Sequence, residues 1–221
     1  MTKPYSMDLR ERVVAAVETE GMTRHQTAAR FATRCVASAI LDDTRDLAFS
    51  TDVSDQLRLL KSLGHWVGDI HQPLHISFED DRGGNEIQVS GLCSRNLHAV
   101  WDACIIDRRI GVDYEAAANA LRAEITGDDR KAWIPSDIDA AAVASWAEES
   151  LTIALRPSVQ YCIQKEDACG YSDDAMTYPS RPRSVVIDDA YLDLHAPLVR
   201  DRLKRAGIRL GAILNIALTP G

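Results

Sequence analysis

The chain has 221 residues, 46% apolar and 26% charged, enough for one domain with a real hydrophobic core. Its 33 acidic and 25 basic side chains leave a net charge of −8. That excludes a protein whose main task is to coat nucleic acid through a Lys/Arg surface, but not one that holds a phosphate through bound cations.

No run of about 18 apolar residues offers a membrane span. Met1 to Arg12 is polar and charged, without the apolar stretch of a secretory leader. The five cysteines, Cys35, Cys93, Cys104, Cys162 and Cys169, form no C-x-x-C pair, so a thiolate zinc finger is not expected. Their wide spacing suits disulfides or buried thiols, and the odd count leaves one unpaired in a monomer.

In chain order, Leu9, Val13, Val14 and Val17 predict a helix over about 8–20, ended by Gly21. Thr23 with Gln26 reads as a capping box that opens a second helix through Phe31. A third helix runs through Cys35–Leu41. The next is long: Asp52 or Ser54 can cap it, Leu57, Leu59, Leu60, Leu63 and Val67 supply an apolar face, and Pro73 stops it near Gln72. Gly83-Gly84-Asn85 is a turn, and the alternation of Ile87 and Val89 with Gln88 and Ser90 predicts a short hairpin or an irregular excursion. Helix returns over about 95–110, over 113–125, where Asp113 opens it, and over 138–155. A loop rich in Asp, Pro, Ser and Gly covers 166–186. A last helix covers 187–218, with a break expected at Gly207. The fold class predicted is all-α.

The chemistry concentrates in two segments. One is His65-Trp66-Val67-Gly68-Asp69-Ile70-His71-Gln72-Pro73-Leu74-His75; the other is Asn96-Leu97-His98-Ala99-Val100-Trp101-Asp102. His65 and Asp69 are four apart, one helical turn on one face, and His98 and Asp102 repeat the spacing. His75 follows the proline, where the backbone can redirect it. Four of the six histidines fall between His65 and His98.

Zinc accepts imidazole and carboxylate ligands at about 2.0–2.2 Å, and two helices can present them to one cavity. A single His-x-x-x-Asp pair is more often an ion pair or a satisfied core histidine. Two such pairs with a third histidine behind a proline favour a metal site. His71 points off the shared face and reads as structural or as a support for a ligand. His25 and His195 stand alone and read as surface residues. Trp66 and Trp101 read as core, and Gly83 and Gly84 as turn residues rather than a phosphate cradle.

These motifs, with Gly83-Gly84-Asn85, Trp146-Ala147-Glu148-Glu149-Ser150 and Gly207-Ile208-Arg209-Leu210-Gly211, make residues from about 35 to 218 resemble the S1/P1 nuclease family, which also includes relatives of zinc phospholipase C. The resemblance implies a phospholipase C/P1 nuclease-like helical fold with three zinc ions in a cleft. It implies hydrolysis of single-stranded DNA and RNA to 5′-phosphates, with zinc lowering the pKa of the attacking water. Carried over residue by residue, His75, His98 and Asp102 would hold one zinc, and His65 and Asp69 a second. Asp69 would bridge to a third and is the catalytic candidate. Cys35 and Cys162 occupy places that resemble a family disulfide.

The front of the chain departs from that family. Its members supply further zinc ligands there, beginning with an N-terminal tryptophan, and no matching residues stand before Cys35. Residues 1–31, from Met1-Thr2-Lys3-Pro4-Tyr5 to Arg30-Phe31, instead resemble the first half of the helix-turn-helix of an insertion-sequence transposase. The expected layout is therefore a transposase-like fragment over 1–32 and an N-terminally truncated nuclease-like domain over 33–221. The expectations that follow are fewer than three zinc ions, impaired hydrolysis, a single-stranded nucleic acid substrate, no membrane and no obligate protein partner. Without a leader, the chain is expected in the cytoplasm, where its cysteines would stay reduced. The alternatives are an inactive remnant, an intact enzyme that draws its missing ligands from the new N-terminus, a DNA-binding transposase fusion and, ranked low, a phospholipase C-like hydrolase.

Overall fold

The computed structural model describes residues 24–77, 82–161, 163–165, 168–170 and 184–219. The helix expected over 8–20 and the Thr23 cap lie outside these residues.

The first described helix, α1 (Arg24–Phe49), crosses the expected junction at 32–33 without interruption. The two short helices expected on either side of Phe31 are one, since no proline or glycine stands between Arg24 and Phe49 to stop the ladder. Ala37, Ile40 and Leu47 are buried along it. Helix α2 (Val53–His71) starts at Asp52, whose side chain accepts from the Asp55 N–H at 2.9 Å. It buries Leu59, Leu63, Val67 and Ile70 at helical spacing. Gln72 is extended ahead of Pro73 and ends it, as the residue before a proline must avoid the helical region. A 3-10 turn over Pro73–Ile76 follows.

Strand β1 (Gln88–Gly91) does not form the expected hairpin. It pairs in parallel with β4 (Ser184–Ile187), nearly a hundred residues on. The alternation correctly marked a strand, but not its partner. β4 also shows that the end of the segment read as loop is extended, as are β2 (Ile163–Lys165) and β3 (Ala168–Gly170), which pair antiparallel.

Between the sheets in sequence run α3 (Leu97–Ala99), a π turn (Val100–Cys104) and α4 (Ile105–Arg109). Helix α5 (Tyr114–Glu124) is capped by Asp113, as predicted. Helix α6 (Gly127–Trp133), not anticipated, has a capping box between Thr126 and Asp129. Helix α7 (Ala140–Ala154) is capped by Asp139.

The last helix, α8 (Asp189–Leu218), runs through both Pro197 and Gly207. The break expected at Gly207 is absent, because packing holds the helix against the weak preference of one glycine. The fold is all-α, with only these small sheets among the described residues.

The core has two apolar clusters. One gathers Leu97, Val100, Trp101, Tyr161, Ile187 and Leu192 around the sheet end. The other gathers Ile40, Leu63, Val67, Ile70, Trp146 and Ile213 between α1, α2, α7 and α8. A buried polar network joins the end of α2 to α7 and α8. Arg209 donates to both carboxylate oxygens of Glu149 at 2.7 Å and to His71 Nε2 at 2.9 Å. Arg202 donates to the His71 carbonyl at 3.2 Å, to Glu149 at 2.5 Å and to Ser150 Oγ at 2.7 Å. Each buried charge is paired and hydrogen-bonded, the condition for tolerating it there.

Candidate metal centre

Helix α2 and the turn after it carry three of the five predicted metal residues, and the stretch from α3 into the π turn carries the other two. The five form one connected chain. His65 Nε2 lies 3.4 Å from Asp69 Oδ2, which lies 3.4 Å from His75 Nδ1. His75 Nε2 lies 3.0 Å from Asp102 Oδ1, and His98 Nε2 lies 3.3 Å from Asp102 Oδ2. The ligand-type atoms of His75, His98 and Asp102 all lie within 4.8 Å of one another. His65 stands at the exposed end, its side chain 63% accessible, whereas His98 is at 17%.

Local sequence explains the convergence. Asn96 caps α3 by accepting from the Ala99 N–H at 2.9 Å, and donates to Asn85 Oδ1 at 3.2 Å. That ties the Gly83-Gly84-Asn85 turn to the helix start. Gly83 and Gly84 both have positive φ, 67° and 83°, which a glycine adopts without penalty. The Gly83 carbonyl then accepts from His98 Nδ1 at 2.8 Å. With its proton on Nδ1, His98 turns Nε2 toward Asp102, the arrangement that fixes the tautomer of metal-binding histidines. Asp102 sits in a π turn, a feature that recurs at functional sites.

Gln72 was not singled out from the sequence, yet its Nε2 donates to Asp102 Oδ1 at 2.7 Å and its Oε1 accepts from the Leu74 N–H. Its place directly before Pro73 was the available signal.

Burial works against a charge on His75, but hydrogen bonds to Asp102 and Asp69 override it and hold its pKa up to about 9. Burial also opposes ionisation of Asp102, and hydrogen bonds from His75, His98 and Gln72 push its carboxyl far below the usual range. The cluster thus favours a cation among its carboxylates. Two imidazoles and a carboxylate are zinc-type donors, so the residues present fit such an ion.

His71 takes no part in the cluster. It is buried, its Nδ1 donates to the Val67 carbonyl at 2.7 Å, and its Nε2 accepts from Arg209. Burial and the neighbouring Arg202 lower its pKa to about 3, so it stays neutral. His195 corrects the surface reading: it is 1% exposed, packed between the Trp101 and Tyr191 rings, with Nε2 on the Ser158 carbonyl at 3.0 Å. An isolated histidine in a sequence carries no sign of the aromatic pair that encloses it. Trp101 is core, as read, and Trp66 donates to Asp43 at 3.2 Å.

A disulfide joins Cys93 and Cys104, which the spacing did not single out. The side chains of His25 and Cys35 and the whole of Cys162 lie outside the described residues.

The chain matches the S1/P1 Nuclease family over residues 14–219, and it belongs to that family. The match begins inside the segment set apart as 1–32. Among curated proteins, the chain is 32% identical over 197 residues to Endonuclease 4 of Arabidopsis thaliana, covering 82% of this chain and 60% of the relative. It is 32% identical over 196 residues to Endonuclease 2 of the same plant, covering 82% and 61%. It is 30% identical over 189 residues to Nuclease S1 of Aspergillus oryzae, covering 82% and 62%. The chain spans about three fifths of the length of these relatives.

Proposed function

We propose that this chain is a zinc-dependent phosphodiesterase that hydrolyses single-stranded nucleic acid to 5′-phosphate products. The observation that carries the reading is the convergence of His75, His98 and Asp102 within 4.8 Å in a member of a nuclease family. In this reading His75, His98 and Asp102 would hold one zinc, His65 and Asp69 would serve a second, and Asp69 would also serve a third. Bound there, zinc would polarise the phosphodiester and lower the pKa of an attacking water. The chain's own part is to hold the ligands. The Gly83 carbonyl fixes the His98 tautomer, Gln72 holds Asp102, and the Arg202–Glu149–Arg209 network anchors the end of α2, which carries Asp69 and leads into the turn that carries His75.

No described helix is long and apolar enough to cross a membrane. The Cys93–Cys104 disulfide favours an oxidising compartment over the cytoplasm expected from the sequence.

The test is zinc content by elemental analysis, followed by cleavage of single-stranded DNA. Bound zinc, with hydrolysis that falls about 100-fold or more in His98→Ala and Asp102→Asn, is the expected result; loss of a supporting partner alone costs about 10–100-fold in such sites. Zinc-free protein, or cleavage untouched by both substitutions, would remove the proposal.

A further inference from the structure

A cavity of about 730 Å³ lies beside the metal cluster, and the hydrolytic reading makes no use of it. Asp102, Ile106 and Leu203 line both this cavity and a smaller one of about 350 Å³ that contains Asp69 and His75. The two are therefore neighbours across shared side chains, and one chain-like ligand could pass from one to the other.

The floor of the larger cavity is apolar, built from Ile110, Leu121, Ile125 and Ile208. Its rim is cationic, with Arg122, Arg130 and Lys204. Lys204 is engaged by Glu124 at 3.4 Å, whereas Arg122 and Arg130 are exposed and form no ion pair among the described residues. Tyr114, 63% exposed, lines the cavity, and its hydroxyl donates to Asp107 at 2.9 Å, which holds the ring in place. Gly207 leaves the α8 wall open: a Cβ there would meet nothing within 4 Å.

Apolar floor, exposed aromatic ring and unpaired arginines occur together here on a chain of net charge −8. A purely apolar ligand would have no use for the arginines. A free phosphate would have no use for the floor. Single-stranded nucleic acid uses both, since bases stack on aromatic and apolar surfaces while cations track the backbone. The volume falls within the roughly 300–1,000 Å³ of small-ligand sites.

We propose that this trough is a strand-binding subsite. Nucleobases flanking the scissile phosphodiester lie on the Leu121–Ile208 floor against Tyr114, and their phosphates meet Arg122 and Arg130. The proposal rests on the nuclease reading of the metal cluster, so its test must fail separately from that reading.

The experiment is fluorescence anisotropy of a labelled oligothymidylate of about eight nucleotides, with the full chain in excess chelator so that no cleavage occurs. Tyr114→Ala combined with Arg122→Glu is expected to weaken binding about tenfold or more, within the range of one lost stacking contact. Arg58→Glu, a charge reversal outside the trough, is expected to leave binding within about twofold. Gly207→Glu guards against misfolding: glutamate is a better helix former than glycine, so the fold is kept while a carboxylate enters the phosphate path, and binding is again expected to fall.

If parent and trough variants bind alike, the subsite is overturned and the nuclease reading stands. If the parent binds no oligonucleotide, the subsite is overturned, while the nuclease reading is still decided by zinc content and cleavage. A dimer that Gly207→Glu dissociates would show that a second copy occupies the trough, and would overturn the subsite as well.

Discussion

Gly83 decides more than its turn. With φ at +67°, an alanine there is strained whatever the space, and its Cβ would meet the Leu74 carbonyl oxygen at 2.3 Å and His98 Nδ1 at 3.2 Å. Gly83→Ala is therefore expected to push the turn off His98 and remove the hydrogen bond that sets its tautomer. Zinc affinity should fall about 10–100-fold and stability by about 1–3 kcal/mol. A chelator-competition titration and a thermal melt check the two numbers, and unchanged affinity would show that Gly83 serves the turn alone. At this scale the sequence was informative where residue type and spacing mark which side chains converge, as for the five candidate ligands that form one connected cluster. It was silent on Gln72 and misleading on His195. What those two touch comes from segments distant in the chain: Asp102 for the first, Trp101, Tyr191 and the Ser158 carbonyl for the second.

Among the elements, the stretch from Cys93 to Cys104 matters most. Its disulfide spans a separation of 11 residues that includes both His98 and Asp102. Closing so short a loop contributes about 3 kcal/mol in the chain-entropy account. Here it also ties the loop between β1 and α3 to the end of the π turn. Cys93→Ala with Cys104→Ala is expected to lower stability by about 2–3 kcal/mol in urea unfolding and to weaken zinc binding. An unchanged unfolding midpoint would mean that the packing of Leu97, Val100 and Trp101 holds this stretch unaided. Helix limits set by local chemistry were legible beforehand: Asp52, Asp113 and Pro73 act within a few residues of where they stand. The break expected at Gly207 was not observed, because the cost of one glycine is small beside the packing of a helix with buried residues from Tyr191 to Ala217.

For the whole molecule, the Glu149–Arg202–Arg209 network joins α2, α7 and α8. Burial opposes the charge on Glu149, but hydrogen bonds from Arg209 and Arg202 hold its pKa down at about 2, against 4.5 in the unfolded chain. Because the folded value is depressed, its stabilisation is fully present above about pH 4.5 and is lost as pH falls toward about 2. Unfolding free energy measured from pH 7 to pH 3 is expected to drop through this window, and Glu149→Gln to flatten the drop while lowering stability at neutral pH. An equally steep drop in the variant would place the acid sensitivity elsewhere.

The sequence by itself determined the helical class, the caps and stops of α2 and α5, and the histidine and aspartate pairs that the fold gathers, because helical period, capping and i, i+4 spacing are properties of residues a few positions apart. Only the tertiary structure decided that β1 pairs with β4, that Glu149 meets Arg209, that Cys93 bonds Cys104 and that Gln72 holds Asp102. Those contacts depend on how the elements pack, and local pattern carries no record of which distant face each will meet.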